Sequence, residues 1–202
     1  MFFVPTKSII GLGDFYSKSN RVPLKISRLV KENVFEIVVP KPPEKEVQYQ
    51  RPIPSENIPY QLRVDPYLPI GSAFLIGHDA FLSAAHVFAF ENDSVVTEFF
   101  VRDSQMNVYP IRDILKYSSH RDVVIFKIGR ADLKSSFKKE YEPEINGVVY
   151  AVGNAYGQGV VIRNGLLTST TYESYKGKWK WLRFSAAASP GNSGGPLLND
   201  KG

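Results

Sequence analysis

The sequence predicts an all-β protein, built as an antiparallel barrel or sandwich, and three observations support this fold class. From residue 71 onward, short runs of β-branched and aromatic residues recur at intervals of roughly ten residues, separated by Gly, Asn, Asp and Ser. Few stretches of the chain show helical periodicity. The 202 residues include 43% hydrophobic ones, which is enough to bury a core in a single domain.

Strands are predicted in succession along this part of the chain. One short helical turn after His86 is compatible with the pattern, and residues 111–117 could be strand or helix. The predicted strands are 72–76, 81–83, 95–102, 108–111, 123–128, 148–152, 160–163, 165–171 and 181–185.

The first third of the chain is organised differently. Residues 22–30 and 34–39 are predicted to form a hairpin across 31–33, as arms packed on the main domain rather than as an independent domain. Eight of the 14 prolines fall between residues 40 and 69. Because proline fixes φ and donates no hydrogen bond, this segment is predicted to be an extended strap and neither a helix nor a central strand.

Composition excludes several classes of protein. The chain has no cysteine, and therefore no disulfide, no thiolate metal site and no cysteine nucleophile. Its net charge of +5 is scattered, with the densest groups at Lys138-Lys139 and 176–180, which argues against nucleic acid as a partner. No apolar run approaches the ~20 residues of a membrane span, and the start lacks the features of a signal peptide. The compartment stays open.

The segment 188–196 carries the strongest chemical signal, with the sequence Ala-Ser-Pro-Gly-Asn-Ser-Gly-Gly-Pro. A serine hydroxyl such as that of Ser193 needs a base for its proton and hydrogen-bond donors for the oxyanion that forms. The neighbouring glycines permit a tight turn in which the N–H groups of Gly191 and Ser193 point at one spot. The alternative is a glycine-rich turn between two strands.

A second segment, 81–88, has the sequence Phe-Leu-Ser-Ala-Ala-His-Val-Phe and places His86 among small residues. Small neighbours leave room around an imidazole, and histidine is a suitable general base at neutral pH. The alternative is a structural histidine in the core. His78 and His120 lack such surroundings, and we interpret them as surface or turn residues.

Asp122 is the third candidate because it directly precedes the apolar run 123–128. There its carboxylate could accept a hydrogen bond from the imidazole and fix its tautomer. Asp also commonly begins strands after turns, which is the alternative. Asp93, Asp103 and Asp113 are rivals by distance only, since none of them heads such an apolar run.

Taken in order, His86, Asp122 and Ser193 lie 36 and 71 residues apart, and with this order the chain resembles the trypsin-like serine proteases. More closely, it is similar to the HtrA/Deg branch and related cysteine-free members. Two further segments carry this similarity: 71–76, Gly-Ser-Ala-Phe-Leu-Ile, and 149–157, which ends in Gly-Asn-Ala-Tyr-Gly and resembles the family's Gly-Asn-Pro-Phe-Gly turn. The resemblance covers about residues 68–202.

This resemblance implies two six-stranded antiparallel β-barrels with the active site in the cleft between them. Residues 1–67 would form an N-terminal extension and residues 68–202 the protease domain. Within that domain, the first barrel would cover about 71–127, a linker about 130–145, and the second barrel about 146–202.

The resemblance also implies a serine endopeptidase that hydrolyses peptide bonds through an acyl-enzyme on Ser193. His86 would be the general base and acid, Asp122 would hold the imidazole, and the N–H groups of Gly191 and Ser193 would form the oxyanion hole. Protein or peptide substrates are expected, and neither a metal nor an organic cofactor is required.

The resemblance also implies that Ala187 and Ala188, just before the turn that carries Ser193, line the pocket that selects the substrate side chain. A pocket of this kind, apolar and without Asp at its base, argues against Arg or Lys beside the scissile bond. It favours small or medium aliphatic residues.

The chain also departs from the family pattern. Ala155 stands where proline is usual, and Ser185 stands where HtrA-type members often have an acid. No Ile-Val-Gly-Gly activation motif and no PDZ-like domain is found. Because the sequence stops nine residues after Ser193, the second barrel is expected to be incomplete and the sequence to be a fragment of a longer protease. The alternative is that residues 1–57 supply a missing strand.

Other interpretations of the chain stay open. One is a binding module on a protease scaffold, with a catalytic apparatus that is intact by residue but unused. Another is a proline-rich strap that covers the cleft until it is displaced, although a passive linker is favoured. A homo-oligomer is possible, since HtrA-like proteins commonly assemble as trimers.

Overall fold

Strands make up most of the computed structural model, which describes residues 22–41, 54, 57–58, 60–88, 98–130, 132–175 and 177–202. The helices in these ranges are α1 (Leu24–Asn33) and α2 (Tyr60–Val64), and 3₁₀ turns cover Ala85–Val87 and Ala155–Gly157. The strands are β1 (Val34–Pro40), β2 (Tyr67–Leu75), β3 (Ala80–Ser83), β4 (Phe100–Arg102), β5 (Val108–Ser118), β6 (Val123–Ile128), β7 (Val148–Gly153), β8 (Val161–Tyr172), β9 (Lys180–Phe184) and β10 (Leu197–Asn199). None of the helices in the described ranges has the length and apolar character needed to cross a membrane.

Six strands close into an antiparallel barrel in the order β1-β2-β3-β6-β5-β4. In β6, Val124, Phe126 and Ile128 are buried and alternate with half-buried residues, as expected of a strand with one face on a core. The ring of Phe126 stacks on Phe81 with 5.5 Å between centroids, and Phe35 meets Phe81 edge-on at 5.0 Å. Aromatic side chains therefore fill the centre of the barrel.

The remaining strands form a four-stranded sheet in the order β10-β7-β8-β9. One end of α1 is tied to it, since Lys25 Nζ donates to the carbonyl of Lys201 at 2.7 Å. An apolar cluster joins Ile26 and Val30 of α1 and Val34 of β1 to the sheet residues Tyr150, Val152 and Leu198. A closed barrel beside a second sheet is therefore present, whereas a second closed barrel stays a prediction.

β1 contacts both halves of the molecule. Phe35 and Ile37 belong to the barrel core, whereas Val34 belongs to the cluster between α1 and the four-stranded sheet. Both faces of the strand are therefore covered, which explains why every residue of β1 except Pro40 is buried.

The strand predicted over residues 22–30 is wrong, because this segment forms most of α1. The buried residues Ile26, Val30 and Asn33 follow one another at the spacing of a single helix face. Pro23 precedes the first helical residue, a place where its missing N–H costs nothing. The β-branched content of the segment concealed this helical period.

The N-terminal extension also differs from its prediction. The predicted boundary places β1 in residues 1–67, outside the protease domain, yet β1 is a strand of the closed barrel.

The prediction of an extended strap is wrong over Tyr60–Val64, which is helical, and over the start of β2. Pro69 fits inside β2 because the pairing register shifts between Ile37 and Val38, next to its partner. Positions 42–53, 55–56 and 59 of the predicted strap lie outside the described residues.

The strands predicted after residue 71 match the structure closely. Residues 111–117 are strand, and the two predicted strands at 160–163 and 165–171 form one strand, β8. β4 covers the end of the strand predicted at 95–102, of which 95–97 lie outside the described residues. The three-residue β10 was not predicted.

A buried ionic cluster links β1, β4 and the segment before β2. Glu36 lies opposite Arg102 in the β1–β4 pairing, and Arg102 Nε donates to Glu36 Oε2 at 2.5 Å. Arg102 Nη1 donates to Asp65 Oδ2, also at 2.5 Å. Burial raises the pKa of the Glu36 carboxyl above its ordinary value, and the Arg102 guanidinium opposes that shift. The Arg102 guanidinium therefore binds two carboxylates where β1 pairs with β4 to close the barrel.

Arg102→Met should destabilise the protein by roughly 3–5 kcal/mol, because Glu36 would become a buried carboxylate without a cation and Asp65 a partly buried one. Urea unfolding followed by circular dichroism measures this loss. Arg130→Met is the matched control, since Arg130 pairs with the solvent-facing Asp132 and should lose far less stability. Equal losses in the two variants would contradict a special role for the buried cluster.

Candidate active site

His86 and Asp122 are joined by two hydrogen bonds. His86 Nδ1 lies 2.7 Å from Asp122 Oδ2, and the backbone N–H of His86 donates to Asp122 Oδ1 at 2.9 Å. Because an ionised carboxylate only accepts, this geometry places the ring proton on Nδ1 and leaves Nε2 as an acceptor. The side chains of His86 and Asp122 are 58% and 49% exposed, so reactants can reach the pair.

Strand pairing brings these two residues together from positions 36 residues apart. β3 and β6 are antiparallel neighbours, with Ser83 at the end of β3 opposite Val124 near the start of β6. His86 follows β3 in a 3₁₀ turn, and Asp122 directly precedes β6 at a φ of 51°, which Asp tolerates better than most residues. Both residues therefore lie at the same edge of the barrel.

Ser193, the nucleophile candidate, directly follows a tight β-turn over residues 189–192, and residues 189–193 together are called the nucleophile turn. The N–H of Asn192 donates to the carbonyl of Ser189 at 3.0 Å, and Gly191 has a φ of +93°. Proline at the second position and glycine at the third are the residues that a type II turn requires. A β-carbon on Gly191 would also lie 2.0 Å from the carbonyl oxygen of Asn154. Only glycine fits this position.

Two amide donors in this turn are available to a ligand. In the described part of the chain, neither the N–H of Gly191 nor that of Ser193 has a hydrogen-bond partner. These are the two donors that the sequence analysis assigned to an oxyanion. Unpaired neighbouring donors of this kind suit the binding of a developing negative charge.

Ser72 holds the turn in place. Its N–H donates to the carbonyl of Ser193 at 2.8 Å, and its hydroxyl donates to the carbonyl of Gly191 at 2.7 Å. The same hydroxyl accepts from the N–H of Asn154 at 2.8 Å, and the Ser72 carbonyl accepts from the Ser83 hydroxyl at 2.7 Å. Ser72 is completely buried, and its hydroxyl bonds with Asn154 and its carbonyl bond with Ser83 are shielded from water, whereas the bond to Gly191 is partly buried.

The nucleophile turn lies directly against the segment that leads to His86. A β-carbon on Gly194 would approach Ser83 Oγ to 2.2 Å and the backbone nitrogen of Ala84 to 2.9 Å. The segments that carry Ser193 and His86 therefore pack against each other where the barrel meets the four-stranded sheet, and we refer to this junction as the cleft. The structure shows no hydrogen bond between the Ser193 hydroxyl and the His86 ring.

The rival residues lie elsewhere. His78 is exposed, and it forms an isolated backbone bridge with Lys134, whereas His120 is exposed in the turn before Asp122. Asp103 accepts hydrogen bonds within its own loop. Burial alone would raise the pKa of its carboxyl, but the hydrogen bonds from Asn107 outweigh burial and bring that pKa below its ordinary value. Asp113 is exposed on β5, and Asp93 lies outside the described residues.

The predicted specificity-pocket residues Ala187 and Ala188 are exposed in the segment between β9 and the nucleophile turn. This segment continues alongside β8, since the Ser185 N–H donates to the Leu166 carbonyl at 3.0 Å and the Leu166 N–H donates to Ser185 Oγ at 3.0 Å. Both alanines therefore lie between a sheet edge and the candidate oxyanion donors.

Three residues that support the site have no role predicted from the sequence. Ser72 enters the prediction only through the family resemblance, although a serine inside an apolar strand is itself a signal for a buried hydrogen-bond network. Tyr156 has a φ of 56° and donates its N–H to the carbonyl of Pro190 at 2.9 Å, and this bond stabilises the nucleophile turn. Arg121, beside Asp122, forms an ion pair with Glu173 and lies 4.8 Å from the ring centroid of Trp179. The β8–β9 hairpin thereby touches the loop of Asp122.

An apolar cavity of about 420 Å³ lies outside this cleft, between the segment after Ser135 and the four-stranded sheet. None of His86, Asp122 and Ser193 lines it. Within the described ranges, no group of three or more His, Asp or Glu side chains is arranged to hold a metal ion.

Known proteins share both the sequence pattern and the architecture. The family model for the trypsin-like peptidase domain matches residues 71–202, and no curated protein matches the chain. The HtrA-type protease AlgW with decapeptide is similar at a TM-score of 0.60 and 19% identity, over 87% of this chain and 54% of that chain. The active form of the Rv3671c protease from M. tuberculosis is similar at a TM-score of 0.58 and 15% identity, over 87% of this chain and 69% of that chain. The chain thus spans about half the length of the AlgW chain. At these identities, the structural likeness shows the fold.

Ser72→Ala should lower stability by about 1–3 kcal/mol, because the half-buried carbonyl of Gly191 and the buried N–H of Asn154 lose their partner. It should also slow the reaction of Ser193 with a fluorophosphonate, since the turn loses its tether. Ser135→Ala is the matched control, because its hydroxyl donates to the Leu75 carbonyl at 2.7 Å, away from the turn. Unfolding curves and labelling rates separate the two effects. A Ser72→Ala variant that labels as fast as the control would contradict this role.

Proposed function

Because the chain belongs to the trypsin-like peptidase family, we propose that it is a serine endopeptidase acting through an acyl-enzyme on Ser193. The observation that carries this proposal is the double contact between His86 and Asp122. Both oxygens of one carboxylate engage one histidine, which fixes the ring and its tautomer. A serine on the facing turn, beside two unpaired amide donors, completes the set of groups that acyl transfer requires.

The proposed reaction begins with attack of Ser193 Oγ on the carbonyl carbon of the scissile peptide bond. His86 Nε2 takes the hydroxyl proton, and Asp122 stabilises the imidazolium that results. The carbonyl oxygen becomes an oxyanion that accepts hydrogen bonds from the N–H groups of Gly191 and Ser193. His86 then returns the proton to the leaving amine. Water, activated by the same imidazole, hydrolyses the acyl-enzyme.

Peptides or proteins are the proposed substrates. AlgW has been solved with a tripeptide and with a decapeptide, which supports peptide recognition by this fold. We further propose that β7 to β10 belong to a second barrel of the trypsin-like type. The antiparallel order of this sheet and its place beside the closed barrel support that assignment. Assembly into a homo-oligomer is a proposal from the family resemblance alone.

The second candidate is a binding module that uses the protease scaffold without its chemistry. The observation in its favour is the absence of a hydrogen bond between Ser193 Oγ and the His86 ring. Catalytic hydrogen bonds are often long in unliganded enzymes and tighten when substrate binds, so this observation is also compatible with a peptidase. Chemical reactivity of Ser193 distinguishes the two candidates.

A fluorophosphonate probe should label the protein at Ser193 and nowhere else, as read by intact mass and peptide mapping. Ser193→Ala removes the nucleophile and His86→Ala removes the base, so both variants should stay unlabelled. His78→Ala, which alters an exposed histidine bridged to Lys134, should label like the wild type. A folded wild-type protein that does not react would favour the binding module.

Asp122→Asn should lower kcat for peptide hydrolysis by about 10⁴-fold, because an amide stabilises the wrong tautomer of His86 and does not stabilise the imidazolium. Initial rates with a fluorogenic peptide measure this change. Asp113→Asn provides the control, since this carboxylate is exposed on β5 and should leave the rate unchanged. Near-normal turnover by Asp122→Asn would remove this carboxylate from the mechanism.

A further inference from the structure

Arg163 on β8 lies beside the nucleophile turn. Its Nη1 donates to Ser189 Oγ at 2.7 Å, and Ser189 is the first residue of the turn that carries the candidate oxyanion donors. Gly165, two residues further along the same face of β8, contacts the backbone of Ala186, because a β-carbon there would lie 2.2 Å from the Ala186 nitrogen. The Arg163 side chain therefore extends along the segment that holds Ala187 and Ala188.

The charge of Arg163 is not neutralised by the described part of the chain. Of the described arginines that are not exposed, Arg102 and Arg130 each contact a carboxylate, whereas the hydrogen-bond partner of Arg163 is a neutral hydroxyl. A guanidinium has five N–H donors in a planar fork, and one of them is used here. A half-buried cation with unused donors is suited to bind an anion.

The neighbours of Arg163 leave space for such an anion. Ala187 and Ala188 have no side-chain atoms beyond Cβ, and both are exposed. Ser189 Oγ accepts from the guanidinium and can still donate its own proton to a carboxylate. A substrate carbonyl held by the N–H groups of Gly191 and Ser193 would belong to a residue whose side chain lies next to this segment.

We propose that Arg163 is a specificity-determining residue that binds an acidic side chain, Asp or Glu, on the substrate residue before the scissile bond. This inference rests on the proposed peptidase function and replaces the aliphatic preference expected from Ala187 and Ala188 alone. The carboxylate would receive hydrogen bonds from the Arg163 fork and the Ser189 hydroxyl. A Lys or Arg side chain at the same place would be repelled by the guanidinium.

The test compares peptides that differ only in Glu, Gln or Val before the scissile bond. The wild-type protein should cleave the Glu peptide with a kcat/KM about tenfold or more above that of the Gln peptide. Arg163→Gln should bring this ratio close to one. Arg163→Lys should retain part of the preference, because the charge stays while the planar fork is lost. Arg183→Gln, which removes an exposed arginine on β9, should keep the wild-type ratio.

Two further measurements separate this inference from the proposed function. Fluorophosphonate labelling of Ser193 needs no side chain before the scissile bond, so Arg163→Gln should still be labelled at Ser193. Comparing the Glu and Gln peptides within each variant removes any change in the reactivity of Ser193 itself. Binding of the uncleaved Glu and Gln peptides to Ser193→Ala, with and without Arg163→Gln, reports recognition without chemistry. Failure to label the wild-type protein would overturn the peptidase proposal and leave this binding test valid. Equal use or equal binding of the Glu and Gln peptides by proteins that retain Arg163 would overturn the role of Arg163, as would an acidic preference that survives Arg163→Gln.

Discussion

The hydrogen bonds of Ser72 are the constraint on which the geometry of the cleft depends. This side chain is fully buried, and its N–H, carbonyl and hydroxyl connect the strand β2 to the nucleophile turn, to Asn154 and to Ser83. A buried polar group without a partner costs as much as a lost hydrogen bond. The turn therefore cannot shift without breaking several of these hydrogen bonds together. The barrel thus helps to set the position of Ser193 through contacts from outside its own loop.

The relation between the barrel and the second sheet is fixed by a continuous piece of chain. α1 packs on the sheet and continues without a linker into β1, the strand that closes the barrel. Asn33 at this junction is buried, donates to the Leu29 carbonyl at 2.8 Å and accepts from the Ser136 N–H at 2.9 Å. Asn33 thus connects the end of α1 and the start of β1 to the segment between β6 and β7. The cleft lies between two units that are held in a fixed arrangement.

Three residues with positive φ and two arginines lie at the cleft. Asp122, Tyr156 and Gly191 have positive φ, and each lies in a turn that carries or touches a candidate catalytic group. Such conformations persist where the surrounding structure determines them, which is typical of functional sites. Arg121 is held by Glu173 and Trp179, whereas Arg163 reaches only a hydroxyl. The first steadies the loop of Asp122, and the second has hydrogen-bonding capacity left for a substrate.

The sequence by itself determined the strand pattern after residue 71 and the order of His86, Asp122 and Ser193, because a period of two and a Pro-Gly turn are local properties. It did not determine that β1 closes the barrel, that residues 24–33 are helical, or that Ser72 and Arg163 face the nucleophile turn. Ser72 meets Gly191 across 119 residues of chain. Such a contact has no local signature, since each partner is an ordinary residue in its own segment. Only the tertiary structure decides it, because burial and strand register select which polar groups must satisfy one another.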